Sequence, residues 1–89
     1  MGELRRLRNV GPATEADLKL LGIETVAELV DADAFELHAR LCQLTGRSHD
    51  PCMIDVFLSA IDQAQGGEAR AWWAYTRERK RRMATRAQR

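Results

Sequence analysis

Leu7-Arg8-Asn9-Val10-Gly11-Pro12-Ala13-Thr14-Glu15-Ala16-Asp17-Leu18 decides the fold. Leu4 and Leu7, with arginines between them, pattern a short amphipathic helix over about residues 3 to 8. It must stop near Asn9, because Gly11-Pro12 follows. Proline suits the first position of a helix, where its missing N–H goes unused, so a second helix runs from Pro12 to about Leu21. Ala16, Leu20 and Ile23 are expected on its buried side, with Gly22 as a left-handed C-cap. The two helices are joined by a turn of about four residues. Asn9 and Gly11 supply the tolerance of unusual backbone angles that so tight a turn needs, and Val10 tucks between the helices.

The chemistry follows from the turn. The N–H groups of Gly11, Ala13 and Thr14 are expected to point outward at the start of a helix, where the dipole is positive, which makes an anion site. A phosphate oxygen could accept from those amides, the Thr14 hydroxyl would add a donor and Arg8 would add charge, so the contact candidates are Arg8, Asn9, Val10, Gly11, Pro12, Ala13 and Thr14. A contact of this kind holds a nucleic-acid backbone and reads no sequence.

Working outward, Thr25-Val26-Ala27-Glu28 reads as a capping box opening a short helix that buries Val26, Leu29 and Val30. Asp33 caps the next helix, whose stripe is Leu37, Leu41 and Leu44 and whose stop is Gly46. Asp50-Pro51 starts a central helix with Ile54, Phe57, Leu58 and Ile61 at core spacing, ended by Gly66-Gly67. A last helix carries Trp72, Trp73 and Tyr75, read as closing the core, with base stacking as the alternative, and then frays into a basic run that could track a nucleic-acid backbone. No alternating β-branched run reaches strand length. The expectation is an all-α chain: a domain of five or six short helices over residues 1–75 and a basic tail over 76–89.

The 89 residues carry a net charge of +1 that conceals an asymmetry. Through Ala64 there are six basic and eleven acidic residues, a net of −5, and beyond it eight basic and two acidic, a net of +6. An anionic partner is therefore steered to the tail, where Arg79, Lys80, Arg81 and Arg82 are further contact candidates, or to the N-terminal turn. No stretch is apolar enough for a secretory signal or a membrane span, so a cytoplasmic location away from the membrane is expected. Two cysteines are too few for a disulfide scaffold. His38, Cys42, His49 and Cys52 have spacing that zinc could use, but the reading adopted is thiols without a metal, and no cofactor is expected. Asp50, Asp55 and His49 could be imagined as an acid-base cluster, yet Asp50 has a cap role and no nucleophile with an evident base accompanies them, so the chain is read as no enzyme.

The Leu7–Leu18 stretch resembles a helix-hairpin-helix motif, with Asn9 standing where many members have the first glycine. Leu21-Gly22-Ile23-Glu24-Thr25-Val26-Ala27-Glu28-Leu29 is similar to the connector that leads out of such hairpins. Leu41-Cys42, Gly46, His49-Asp50-Pro51-Cys52, Ile54 to Phe57 and Trp72-Trp73 resemble the bacterial pathogenicity-locus, or mitomycin-resistance, family. The hairpin alone is also similar to the C-terminal domain of competence regulators. These resemblances imply SAM-like orthogonal packing and DNA binding through the phosphate backbone. DNA-gripping hairpins often carry Lys or Arg just after the turn glycine, where this chain has Ala13, Thr14 and Glu15. One hairpin would then bind weakly, and a second, from a homodimer or a partner protein, would be needed. The alternative is a protein-interaction module that docks a larger DNA-processing or regulatory protein through Met53, Ile54 and Phe57, if these are exposed.

Overall fold

The computed structural model describes residues 3–87, with side chains described through residue 85. Residues 1, 2, 88 and 89, at the outer ends of the expected domain and tail, lie outside the described residues. A 3-10 helix over Glu3–Arg6 is followed by α1 (Pro12–Leu20), α2 (Val26–Leu29), α3 (Ala34–Thr45) and α4 (Cys52–Ala64). A second 3-10 helix, Trp72–Tyr75, runs directly into α5 (Thr76–Ala87). No strand occurs among the described residues, and the chain is an all-α bundle.

Local signals account for most boundaries. Thr25 and Glu28 close a reciprocal capping box at α2, and the Asp33 carboxylate accepts from the N–H groups of Phe35 and Glu36 at α3. The Asp50 carboxylate accepts from Cys52 N–H at 2.8 Å at the head of α4. α1 ends in a Schellman motif: Gly22 N–H reaches the Lys19 carbonyl and Ile23 N–H the Leu18 carbonyl, with Gly22 at φ +85. Gly66 and Gly67 repeat the motif at the end of α4, onto the carbonyls of Gln63 and Asp62.

The core gathers Leu4, Val10, Leu18, Leu21, Ile23, Leu29, Leu37, Leu41, Ile54, Phe57 and Ile61 around α4. Four expectations about its composition change. The first helix is a single 3-10 turn, because it must deliver only Leu4, fully buried, before the chain bends. On α1 the buried residues are Glu15 and Leu18, while Ala16 and Leu20 face solvent. Val30 and Leu44 also lie outside the core, since α2 and α3 each bury a narrower stripe than the sequence offers. The tryptophans do not close the core either: Trp73 is exposed and Trp72 half-buried, and Tyr75 is the aromatic that turns inward.

Candidate nucleic-acid interface

The turn between the first 3-10 helix and α1 is held from behind by polar side chains of α4. Gln63 pairs its side-chain amide with both backbone groups of Arg8, accepting from the Arg8 N–H at 2.8 Å and donating to its carbonyl at 3.0 Å. Asn9 takes the left-handed conformation, φ +73, that a glycine would adopt most cheaply. Its side-chain Nδ2 then donates to Ser59 Oγ at 2.9 Å and to the Arg70 carbonyl at 2.7 Å. Arg8 extends its guanidinium to the Ala69 carbonyl at 3.1 Å. Val10 is buried, as its place in the turn requires. Thus Arg8, Asn9 and Val10 anchor the turn, and what faces outward is the segment after them.

Gly11 is the N-cap of α1, and no side chain caps that helix. The N–H groups of Ala13 and Thr14 have no carbonyl one turn back within α1, so they are unused by the helix ladder. Gly11 N–H donates to no backbone acceptor among the described residues. Ala13 and Pro12 are exposed, Gly11 and Thr14 half-buried. Gly11 differs from expectation in one respect. Its φ of −93 and ψ of −174 are extended angles open to any residue, and a Cβ placed there would meet nothing within 4 Å. The strained position of the turn is Asn9 alone, so nothing inside the protein calls for glycine at 11.

Electrostatics at the turn are better than the sequence implies. Glu15, in the first turn of α1, is largely buried and lies 3.8 Å from the Arg5 guanidinium, which offsets its charge beside the amides.

The basic segment divides in two. Arg79 is buried: its Nε donates to the Asp55 carboxylate at 2.7 Å, and Thr76 Oγ1 donates to the other oxygen at 2.6 Å. Asp55 has no exposed surface, so the pair pins α5 to α4 and Arg79 faces the protein rather than solvent. Lys80, Arg81 and Arg82 are exposed, with Arg82 and more loosely Arg81 on Glu78, at 2.7 and 3.6 Å. Tyr75 completes the joint by donating to Asp62 at 2.6 Å; burial, and then that bond, push its hydroxyl up to about 12.

The residues weighed for metal or acid-base chemistry have local structural roles. His38 Nε2 stands 3.0 Å from the His49 carbonyl, which can only accept, so that nitrogen carries a proton. Thr45 Oγ1 spends its hydrogen on the Leu41 carbonyl, so His49 Nε2, 2.8 Å away, donates to it. Cys42 Sγ accepts from His49 N–H at 3.3 Å. Both cysteines are half-buried free thiols, and Asp50 bonding holds the Cys52 thiol above its ordinary value. No group of three or more His, Cys, Asp or Glu able to hold a metal occurs among the described residues. No described helix is long and apolar enough to cross a membrane. Ile54 and Phe57 are buried and Met53 half-buried, so the expected docking surface at those residues is core instead.

Gln63, Ser59 and Arg5 were not among the residues picked out by sequence. A signal existed for two of them: Asp55, Ser59 and Gln63 recur every four residues along a helix that is otherwise apolar apart from Asp62, a polar seam within a core face.

Fold and site together define a small all-α module that presents an uncapped helix N-terminus at a turn clamped from behind. The chain belongs to the pathogenicity-locus family, whose model matches residues 1–81. It is 44% identical over 82 residues to the mitomycin resistance protein McrB of Streptomyces lavendulae, an alignment spanning 92% of this chain and 78% of that protein. A shorter likeness, 47% identical over 47 residues, joins 53% of this chain to 13% of DNA polymerase IV of Halorhodospira halophila (strain DSM 244 / SL1). No solved structure matches the chain.

Proposed function

We propose that this chain is a non-catalytic DNA-binding module of helix-hairpin-helix type that grips the phosphate backbone without reading sequence. The observation that carries the reading is the clamped turn at Gly11: a glycine required by nothing inside the protein, opening onto free space in front of the unused N–H groups of Ala13 and Thr14. A group with no Cβ there lets a phosphate oxygen approach the backbone closely. Ala13 and Thr14 N–H donate to that oxygen, the Thr14 hydroxyl adds a donor, and the dipole of α1 favours the negative charge. The Gln63 and Asn9 bonds keep the amides in place before the phosphate arrives. Pro12 helps by fixing the entry angle into α1. Lys80, Arg81 and Arg82 supply long-range attraction in a cytoplasmic, bacterial setting, whereas Arg79 contributes by holding their helix. The short likeness to a DNA polymerase supports a DNA-handling context. Affinity of one turn is low, and a second copy or a partner protein contributes the other half of the grip.

A second reading has its own support. A groove of about 710 Å³ lined by Phe35, Ala39, Pro51 and Met83, with Asp33 and Glu36 also on its wall, offers a largely apolar seat for a protein partner. Binding of end-labelled duplexes of unrelated sequence, followed by fluorescence anisotropy across a salt series, separates the two. DNA binding predicts equal affinities that fall steeply with salt, by about 0.9 in the logarithmic slope per phosphate neutralised. No binding at low salt would reject it in favour of the protein partner.

A further inference from the structure

The outer face of α5 carries a feature that the turn does not use. Tyr75 and Arg79 face α4, so the residues on the opposite side of the same continuous helical segment are Trp73, Arg77 and Arg81, with Lys80 beside them. Successive members stand about one turn, ~6 Å, apart. Trp73 is 64% exposed and the Arg81 side chain 76%. Arg77 and Lys80 are exposed and form no ion pair among the described residues. Trp73 is nevertheless held: Trp72, half-buried beside it, meets it edge to face, with ring centroids 5.6 Å apart and planes at 83°.

We infer that this face binds single-stranded nucleic acid, with Trp73 stacking an unpaired base and Arg77, Lys80 and Arg81 tracking the adjoining phosphates. An indole mostly in water, braced against swinging and followed along one face by exposed cations, of which only Arg81 meets a carboxylate, Glu78 at 3.6 Å, has the two parts such a site needs: a flat apolar platform and a polyanion track. Duplex DNA fits it poorly, since its bases present no free faces. The Asp55–Arg79 pair fixes the direction of the track by fixing α5. The inference shares with the proposed function only the cationic residues of α5 and does not depend on the Gly11 turn.

The test uses the full chain carrying Trp72→Phe, which leaves Trp73 as the sole tryptophan and its emission as the reporter. Short single-stranded oligothymidylate should quench that emission, and a duplex of equal length should do so far less. In the otherwise natural chain Trp73→Ala should weaken oligothymidylate binding about fivefold or more without altering the far-ultraviolet circular dichroism. Arg77→Gln should lower the salt slope by about 0.7. Gly11→Val should leave the quenching intact. Emission that oligothymidylate does not move, or that the duplex moves equally, overturns the inference. If duplex binding through the turn persists in that case, the proposed function stands alone.

Discussion

Replacing Arg79 with methionine should destabilise the whole fold rather than trim an exposed tail. Asp55 has no solvent-accessible surface and its two oxygens are taken by Arg79 Nε and Thr76 Oγ1 at 2.7 and 2.6 Å. Arg79→Met keeps much of the aliphatic volume but leaves a buried carboxylate with one neutral donor. Removing one partner of a buried pair costs about 3 to 5 kcal/mol, a large part of the 5 to 15 kcal/mol that holds a typical domain together. At about 4 °C or more per kcal/mol for a domain of this size, the melting temperature should fall by at least about 12 °C. Asp55→Leu combined with Arg79→Met removes both charges and should recover most of the loss, ending within about 2 kcal/mol of the natural protein. Thr76, half-buried, can then return its hydroxyl to a carbonyl in the preceding turn or to water. Urea denaturation followed by circular dichroism compares both variants with the natural protein. A single Arg79→Met change costing less than about 1 kcal/mol would refute the buried pair, and with it the fixed course of α5.

Other outcomes follow from the same contacts. Gln63→Leu removes both bonds to the Arg8 backbone and should cost about 1 to 3 kcal/mol, with amide signals of Arg8 to Gly11 broadened while those of α3 stay sharp. On the acid side, Glu28 is held below its ordinary 4.5 chiefly by the Glu24 N–H and then by Thr25, and Asp50 below its ordinary 3.8 by the Cys52 N–H. Both contributions are present above those ordinary values and are lost as pH falls through the lowered ones, so urea midpoints should decline below about pH 4.5. On the alkaline side, the raised Tyr75 hydroxyl contributes stability up to its ordinary value of 10.0 and loses it as pH rises towards about 12. Tyr75 is the sole tyrosine, so ultraviolet titration of the folded chain should show no phenolate until well above pH 10.

Much of the secondary structure is legible because its signals are local. Thr25 with Glu28, Asp33, Gly22 and the Gly66-Gly67 pair each act within one turn of chain, and each sits at an observed helix end. Which face of a helix is buried is a different kind of question. Between Leu18 and Ile23, α1 and its exit offer Leu18, Leu20, Leu21 and Ile23, enough for two overlapping stripes. Leu18 joins Leu4 in the buried cluster, while Leu20 is left in solvent. The arginines illustrate the same limit: a run of like charges reads as a solvated or anion-facing helix, and only the approach of Asp55, 24 residues away in sequence, turns Arg79 inward. At the turn, sequence placed the start of α1 at Pro12 but assigned Gly11 a conformational duty that Asn9 performs alone. The clamp was hidden because Gln63 and Arg8 lie 55 residues apart.

That reassignment makes Gly11 the sharpest probe of the turn. Its extended angles admit a β-branched residue and its Cβ direction is open, so Gly11→Val should cost no more than about 1 kcal/mol, arising from a poorer N-cap. The measurement is a titration of duplex DNA into the 15N-labelled natural and Gly11→Val chains at low salt. In the natural chain the Gly11, Ala13 and Thr14 amides should shift first and furthest, and in the variant those shifts should vanish while the undocked spectrum stays native. A natural chain that binds duplex DNA with those three amides unmoved, or a folded Gly11→Val chain that binds equally well, would contradict the claim that phosphate seats at this turn.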